Sequence, residues 1–181
     1  MSVPKIPLPA RVLVSLLTPR KDLADQALPE LIGELGPLRE EIGPIEFGFT
    51  TYYEKEMGPG IRRWLWIFEQ LVDRERLFHI KCLTNRLEQL YTIEGRRQFN
   101  LDPGLLSLEN LVLATGKNRA NRIYLRDGIF ADLTLMYVAG RYRPLEWTYP
   151  DYADARLLEI LNRLREGYKC QLKQYGHTPT P

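Results

Sequence analysis

Apolar positions in this chain follow two periods, and glycine and proline punctuate the changes between them. Arg11 to Leu17 (RVLVSLL) is short, continuous and aliphatic, the signature of a strand buried on both faces. Ahead of it, Val3 to Pro9 holds three prolines and predicts an extended tail. Thr18-Pro19 predicts an N-cap with proline at the first helical position. Leu23, Ala27, Leu31 and Leu35 then recur on one helical face until Gly36-Pro37 stops the run, and Pro29 within it predicts a kink or a restart. Ile42 to Tyr53 returns to strand character, with Ile45, Phe47 and Phe49 alternating against Glu46, Gly48 and Thr50.

Residues 54–60 (EKEMGPG) predict an acidic loop, and Trp64 to Phe68 a third strand with Arg62 and Arg63 at its entrance. A long helix capped by Asp73 follows, its apolar stripe formed by Leu77, Ile80, Leu83, Leu87 and Leu90, with Gly95 at its end. On its opposite flank Lys81, Asn85 and Glu88 stand at i, i+4 and i+7, so they share one face, which as an ordinary helix surface meets solvent. Phe99 to Leu101 reads as strand broken by a turn at Asp102-Pro103-Gly104. Leu111 to Thr115 and Asn121 to Leu125 are further strands, Asp127-Gly128 is a hairpin signal, and Ala139-Gly140 leads into Arg141 to Pro144. Pro150-Asp151 sets up a last helix with a stripe of Leu157, Leu158, Leu161, Leu164 and Tyr168, weakened late by Gly167.

This order predicts an α+β class. A split βαβ, ferredoxin-like first half runs to about residue 101, an antiparallel meander over 108–143 extends or faces its sheet, and a C-terminal helix closes one side. The corresponding division is an extended tail at 1–10, a single α+β domain at 11–175 and a disordered tail at 176–181. A chain of 181 residues, 44% apolar, buries roughly 70% of its unfolded surface without a metal or disulfide staple. Cys82 and Cys170 are far apart and on helical segments, the N-terminal MSVPKIPLPAR lacks a signal peptide's apolar core, and no run approaches the ~20 apolar residues of a spanning helix. The expectation is a soluble cytoplasmic protein with no membrane partner.

The net charge of +2 is unevenly spread. Residues 1–60 carry 6 basic and 9 acidic side chains, 61–126 carry 12 and 7, and 127–181 carry 7 and 7. The electropositive middle third either draws a phosphate or acidic partner or is a solvated mixed-charge face. Trp147, Tyr149 and Tyr152 are either a stacking platform for bases or the seal of a core edge.

Six blocks carry a resemblance: FGFTTYYEKEMG (47–58), IKCLTNRLE (80–88), RRQFNLDPG (96–104), LVLATGK (111–117), RIYLRDGIFADLTLMY (122–137) and WTYPDY (147–152). Together they resemble a bacterial family catalogued only as a domain of unknown function, over most of residues 11–152. Relatives often carry Asp where this chain has Thr51 and His where it has Asn121, which removes acid–base roles from both positions here. Some relatives bear the label GTP-binding protein. The residues do not support a phosphate loop: Gly116-Lys117 is followed by Asn118, and Leu111 stands where the first glycine belongs. A dinucleotide fingerprint, a G-x-S-x-G elbow and zinc-ligand spacing are all missing, and the two histidines are His79, inside an apolar-rich helix, and His177, in the tail.

Polar residues beside strands and turns in the middle third remain as candidates. Asn100 and Asp102 are oxygen donors, and Asp102 is the expected ligand of a hydrated Mg²⁺. Arg97, Lys117 and Arg122 are suited to clamp a phosphate or carboxylate, with Lys81 and Glu88 completing a catalytic set around Asp102. The bland account of Asn-x-Asp-Pro-Gly is a turn in which both side chains bond local backbone. Two functions follow from this set. One is binding or turnover of a phosphorylated, nucleotide-like small molecule. The other is a noncatalytic module that binds RNA or a protein partner through the basic third and the 147–152 aromatics.

Overall fold

A computed structural model describes residues 3–176, so the expectations for 1–2 and 177–181, His177 included, lie outside the described residues. Eight strands form one antiparallel sheet: β1 (Ala10–Thr18), β2 (Leu38–Glu46), β3 (Arg62–Val72), β4 (Asn100–Leu106), β5 (Asn110–Thr115), β6 (Arg122–Arg126), β7 (Ile129–Val138) and β8 (Arg141–Pro144). Their order is β2-β3-β1-β4-β5-β7-β6, with β8 also paired to β7. The helices are α1 (Lys21–Leu35), the single turn α2 (Glu54–Met57), α3 (Leu77–Leu90) and α4 (Ala155–Gln174). The class is α+β with a C-terminal helix, as the pattern of elements predicts.

β1 lies between β3 and β4, and all nine of its residues are buried. Its alternation distributes side chains to two layers. Val12, Val14 and Leu16 join Trp66 and Phe68 under α1 and α3, while Leu13 joins Leu65 and Ile67 in the cluster that α4 covers with Leu157, Leu161, Leu164 and Tyr168. Each large side chain buried in this way contributes about 1.5–3 kcal/mol before ordering costs. No helix among the described residues is long and apolar enough to cross a membrane.

Several local expectations are corrected. Thr18 ends β1 and does not cap α1; its Oγ1 accepts from the Arg20 N–H at 2.8 Å and donates to the Gln98 carbonyl at 2.8 Å. The buried face of α1 is Ala24, Ala27, Leu31 and Leu35, and the helix runs through Pro29 without interruption. β2 spans Leu38–Glu46, so Phe47 to Tyr53 lie outside the strand, and α2 interrupts the expected acidic loop. Past the turn at Pro150-Asp151, Asp154 caps α4, accepting from the N–H groups of Arg156 and Leu157. Leu90 is exposed, because the buried face of α3 has turned to include Lys81, Thr84 and Glu88. The hairpin turns stand, Asp127-Gly128 at φ 48° and 76° and Ala139-Gly140 at 51° and 79°.

The main correction concerns Asp102-Pro103-Gly104, which is not a turn. It runs extended inside β4, paired with Ser15, Val14 and Leu13 of β1. β5 pairs with β4 over Gly104, Leu105 and Leu106 alone, so Pro103, which has no N–H, falls just outside that ladder. Gly104 is set by close approach: a Cβ there would lie 2.6 Å from Leu113 Cδ2 and 3.2 Å from the Val112 carbonyl oxygen. From Pro103 back to Asn100 the first half of β4 has β1 on one side and no strand on the other. The sheet splits there, and the split is where a cleft opens.

Candidate functional site

Leu101 sits on the open edge of β4, and its backbone needs partners that β5 does not supply. Two side chains from α3 provide them. The Leu101 N–H donates to Glu88 Oε1 at 2.7 Å, and Lys81 Nζ donates to the Leu101 carbonyl at 3.0 Å. The polar flank of α3 therefore does not face solvent: Lys81 and Glu88 are each 6% exposed and replace a strand along the edge of β4. Asn85, from the same flank, lines the cleft beside them.

An ionic chain continues from this seam. Glu88 Oε2 accepts from Arg97 Nη1 at 2.9 Å, and the same Nη1 donates to Asn100 Oδ1 at 2.9 Å. Asn100 Nδ2 donates to Asp102 Oδ2 at 2.7 Å, and Lys81 Nζ reaches Asp102 Oδ1 at 3.4 Å. On its other side Arg97 grips Glu56 of α2 through Nε and Nη2 at 2.7 and 2.8 Å, a forked pair that fixes α2 over the end of the sheet. That hydrogen-bonded guanidinium holds the Glu56 carboxyl below its ordinary range. Burial, the larger effect on Glu88, pushes its carboxyl up against the opposing pull of Lys81 and the Leu101 N–H.

The cleft has a volume of about 610 Å³. All seven expected residues line it: Lys81, Glu88, Arg97, Asn100, Asp102, Lys117 and Arg122. The sheet register explains the far wall, because Gly104, Leu113, Asp132 and Arg122 stand opposite one another across β4, β5, β7 and β6. Arg122 donates to Asp132 Oδ2 at 2.7 Å, to the Lys117 carbonyl at 2.7 Å and to the Tyr149 hydroxyl at 3.0 Å. Asn121 Nδ2 adds a bond to Asp132 Oδ1 at 3.1 Å, whereas Thr51 is exposed. Arg97 and Arg122 thus spend their N–H groups on protein acceptors. Lys117 and Arg119 differ, since neither makes an ion pair among the described residues; Lys117 Nζ lies 4.9 Å from the centre of the Tyr52 ring.

Asp102, the expected Mg²⁺ ligand, is tied into the seam beside β4. Each of its oxygens accepts from a nitrogen donor, one of them an ammonium, and no group of three or more His, Cys, Asp or Glu side chains gathers around a metal position among the described residues. The 147–152 aromatics also separate. Tyr152 is 4% exposed, Trp147 Nε1 donates to the Leu133 carbonyl at 2.8 Å, and Tyr149 stands at the cleft mouth, so they do not form one stacking platform. Cys82 and Cys170 are free and exposed.

Sequence reasoning missed Arg63, Asp151, Asp132 and Glu56. Arg63 is 3% exposed on β3, pairs with Asp151, and lies against the rings of Phe47 and Tyr152 at 5.3 and 4.8 Å. The available signal was a charge abutting the apolar run WLWIF, which buries its neighbours and so demands a partner. The partners themselves come from distant parts of the chain.

The model of a family described as Domain of unknown function (DUF4416) matches residues 8–168, and the chain belongs to that family. No curated protein and no solved structure matches it.

Proposed function

We propose that the cleft binds a small phosphorylated ligand of nucleotide-like shape. The observation that carries this reading is the pair of cations without carboxylate partners among the described residues, Lys117 and Arg119, lining a cleft whose other charges are matched. Six basic and four acidic side chains line the cleft, so its unmatched charge is positive and falls on that loop. Phe49, Tyr52 and Tyr149, each more than two-fifths exposed, flank it and offer faces for a planar group. Arg97 and Arg122 act in this reading as braces that hold the walls, and Asn100 positions Asp102. Among the three residues expected to do chemistry, Lys81 and Glu88 are committed to the edge of β4, while Asp102, 31% exposed at its side chain, faces the ligand volume. We take the β2-β3-β1-β4 half with α1 and α3 as a ferredoxin-like frame on which the meander builds the second wall. A cytoplasmic setting, where such ligands are plentiful and exposed thiols stay reduced, belongs to the same reading.

Calorimetric and thermal-shift titration with nucleoside triphosphates and inorganic tripolyphosphate, with and without Mg²⁺, tests it. The expected result is saturable binding that the double variant Lys117→Ala, Arg119→Ala weakens at least tenfold. No response to any of these probes overturns it.

A further inference from the structure

The second half of the sheet carries an apolar face that points away from the cleft. Residues opposite each other across a ladder share a face, and Leu105, Val112 and Leu133 stand in one such row across β4, β5 and β7, with Ala114, Ala131 and Ile123 in another across β5, β7 and β6. Val112 and Ala114 belong to the core that α1 and α3 cover, so both rows lie on the helical side. Asn110, two residues before Val112 and opposite Met136, carries the same face onward to Met136 and Val138, which stand opposite Arg143 and Arg141 of β8. The first turn of α3 closes one end, where Phe78 lies 4.9 Å from the Arg126 guanidinium, and beside it a recess of about 620 Å³ opens over Leu105, Val112 and Ala131. Beyond the recess the apolar side chains meet solvent: Ile123 is 71%, Val138 51% and Met136 38% exposed. A contiguous apolar face of this kind marks an interaction surface.

The charges around this face select its partner. Arg74, Arg76 and Arg126 border the recess against one carboxylate, Glu75, while Arg141 and Arg143 border the far end. Glu109 and Asp127 match Arg74 and Arg126, but Arg76, Arg141 and Arg143 make no ion pair among the described residues. A second copy docked by the same face would bring two sets of unmatched arginines together, which like-charge repulsion opposes. A flat bilayer does not fill a recess. A helix, about 10 Å across, does, and it extends the layer that α1 and α3 begin on this side of the sheet. We infer that this face docks an amphipathic helix of a partner protein, with the partner's apolar stripe on Val112, Ala131, Met136 and Val138 and Asp or Glu on its flanks toward Arg76, Arg141 and Arg143. The surface is separate from the cleft and does not depend on what the cleft binds.

Fluorescence anisotropy of a labelled peptide of about 18 residues, with Leu at helical spacing and Glu elsewhere, titrated with the full chain, tests the inference. The same peptide with Lys in place of Glu is its counterpart. The acidic peptide is expected to bind at least tenfold tighter than the basic one, and the double variant Arg141→Glu, Arg143→Glu to invert that preference. Met136→Glu should weaken the acidic peptide at least tenfold, whereas Lys117→Ala, Arg119→Ala in the cleft should leave it unchanged. All the substituted β7 and β8 positions are exposed, so Tm should stay within a few degrees of wild type. Equal binding of the two peptides, no binding of either, or a preference that survives the charge reversal overturns the docking surface. Uptake by phosphatidylglycerol vesicles without peptide binding overturns it in favour of a membrane, and a dimer in sedimentation that Met136→Glu dissolves overturns it in favour of a second copy.

Discussion

One carboxylate, Glu88, joins three parts of the cleft: its own helix, the Leu101 N–H on β4, and Arg97 from the connection between them. Glu88→Ala strands the Leu101 N–H and takes one carboxylate from Arg97, which keeps Glu56 and Asn100, and is expected to cost about 2–4 kcal/mol, an unsatisfied buried donor plus a lost charged hydrogen bond. Glu88→Gln keeps an acceptor for Leu101 and should cost about 1–2 kcal/mol, the net worth of one charged hydrogen bond. Urea unfolding of the two variants measures the difference. Glu88 and Glu56 also oppose each other as pH changes. Glu88 is raised, so its contribution is fully present below the ordinary Glu pKa of about 4.3 and is lost as pH rises through its folded value. Glu56 is lowered, chiefly by its hydrogen bonds from Arg97, so its contribution is present above about 4.3 and is lost as pH falls through its folded value. Glu56→Gln should therefore flatten the acid side of the stability curve, read as urea midpoints between neutral pH and about 3; an unchanged acid slope would remove Glu56 from the account.

Among the elements, β4 separates what local pattern reveals from what it hides. Pro-Gly after Asp reads as a turn, because proline presets φ and glycine permits positive values. In β4 each residue answers a different need: Pro103 falls beyond the β5 ladder, and Gly104 makes room for Leu113 across the pair. Those needs are set by a neighbouring strand, so no window of sequence around residue 103 contains them. Gly104→Ala should destabilise by about 1–3 kcal/mol through overpacking against Leu113. The double variant Gly104→Ala, Leu113→Val should recover part of that loss, a coupling visible in a thermal double-mutant cycle. The same reasoning applies to α3, whose leucine stripe announces a helix but does not show that its polar flank will edge a split sheet. Elements whose signals are local were legible: the aliphatic β1, the Asp127-Gly128 hairpin and the leucine face of α4. The candidate residues were legible as a set, since seven of them line one cleft, but their division into braces, seam and free cations was not.

Across the whole molecule, the excess of positive charge in the middle third is largely cancelled by folding. Arg62 meets Glu46, Arg86 meets Glu30 and Arg97 meets Glu56, all acidic partners from the first third, while Arg63 and Arg122 meet Asp151 and Asp132 from the last. Segment charge in the sequence counts these arginines as available; the fold has already used them. At the cleft this leaves Lys117 and Arg119, a pair that suits one phosphate group better than a polyanion strand. Single-stranded RNA releases counterions in proportion to the phosphates neutralised, so two cations give a slope of log K against log salt of about −1.4, whereas a groove tracking several phosphates gives −4 or steeper, at roughly 0.7 per phosphate. Filter binding of oligouridine across a salt series is expected to show only the shallow slope and weak uptake, lost in Lys117→Ala, Arg119→Ala. A steep slope that survives that double variant would place a nucleic-acid surface elsewhere on the chain and return the RNA-binding module to first place.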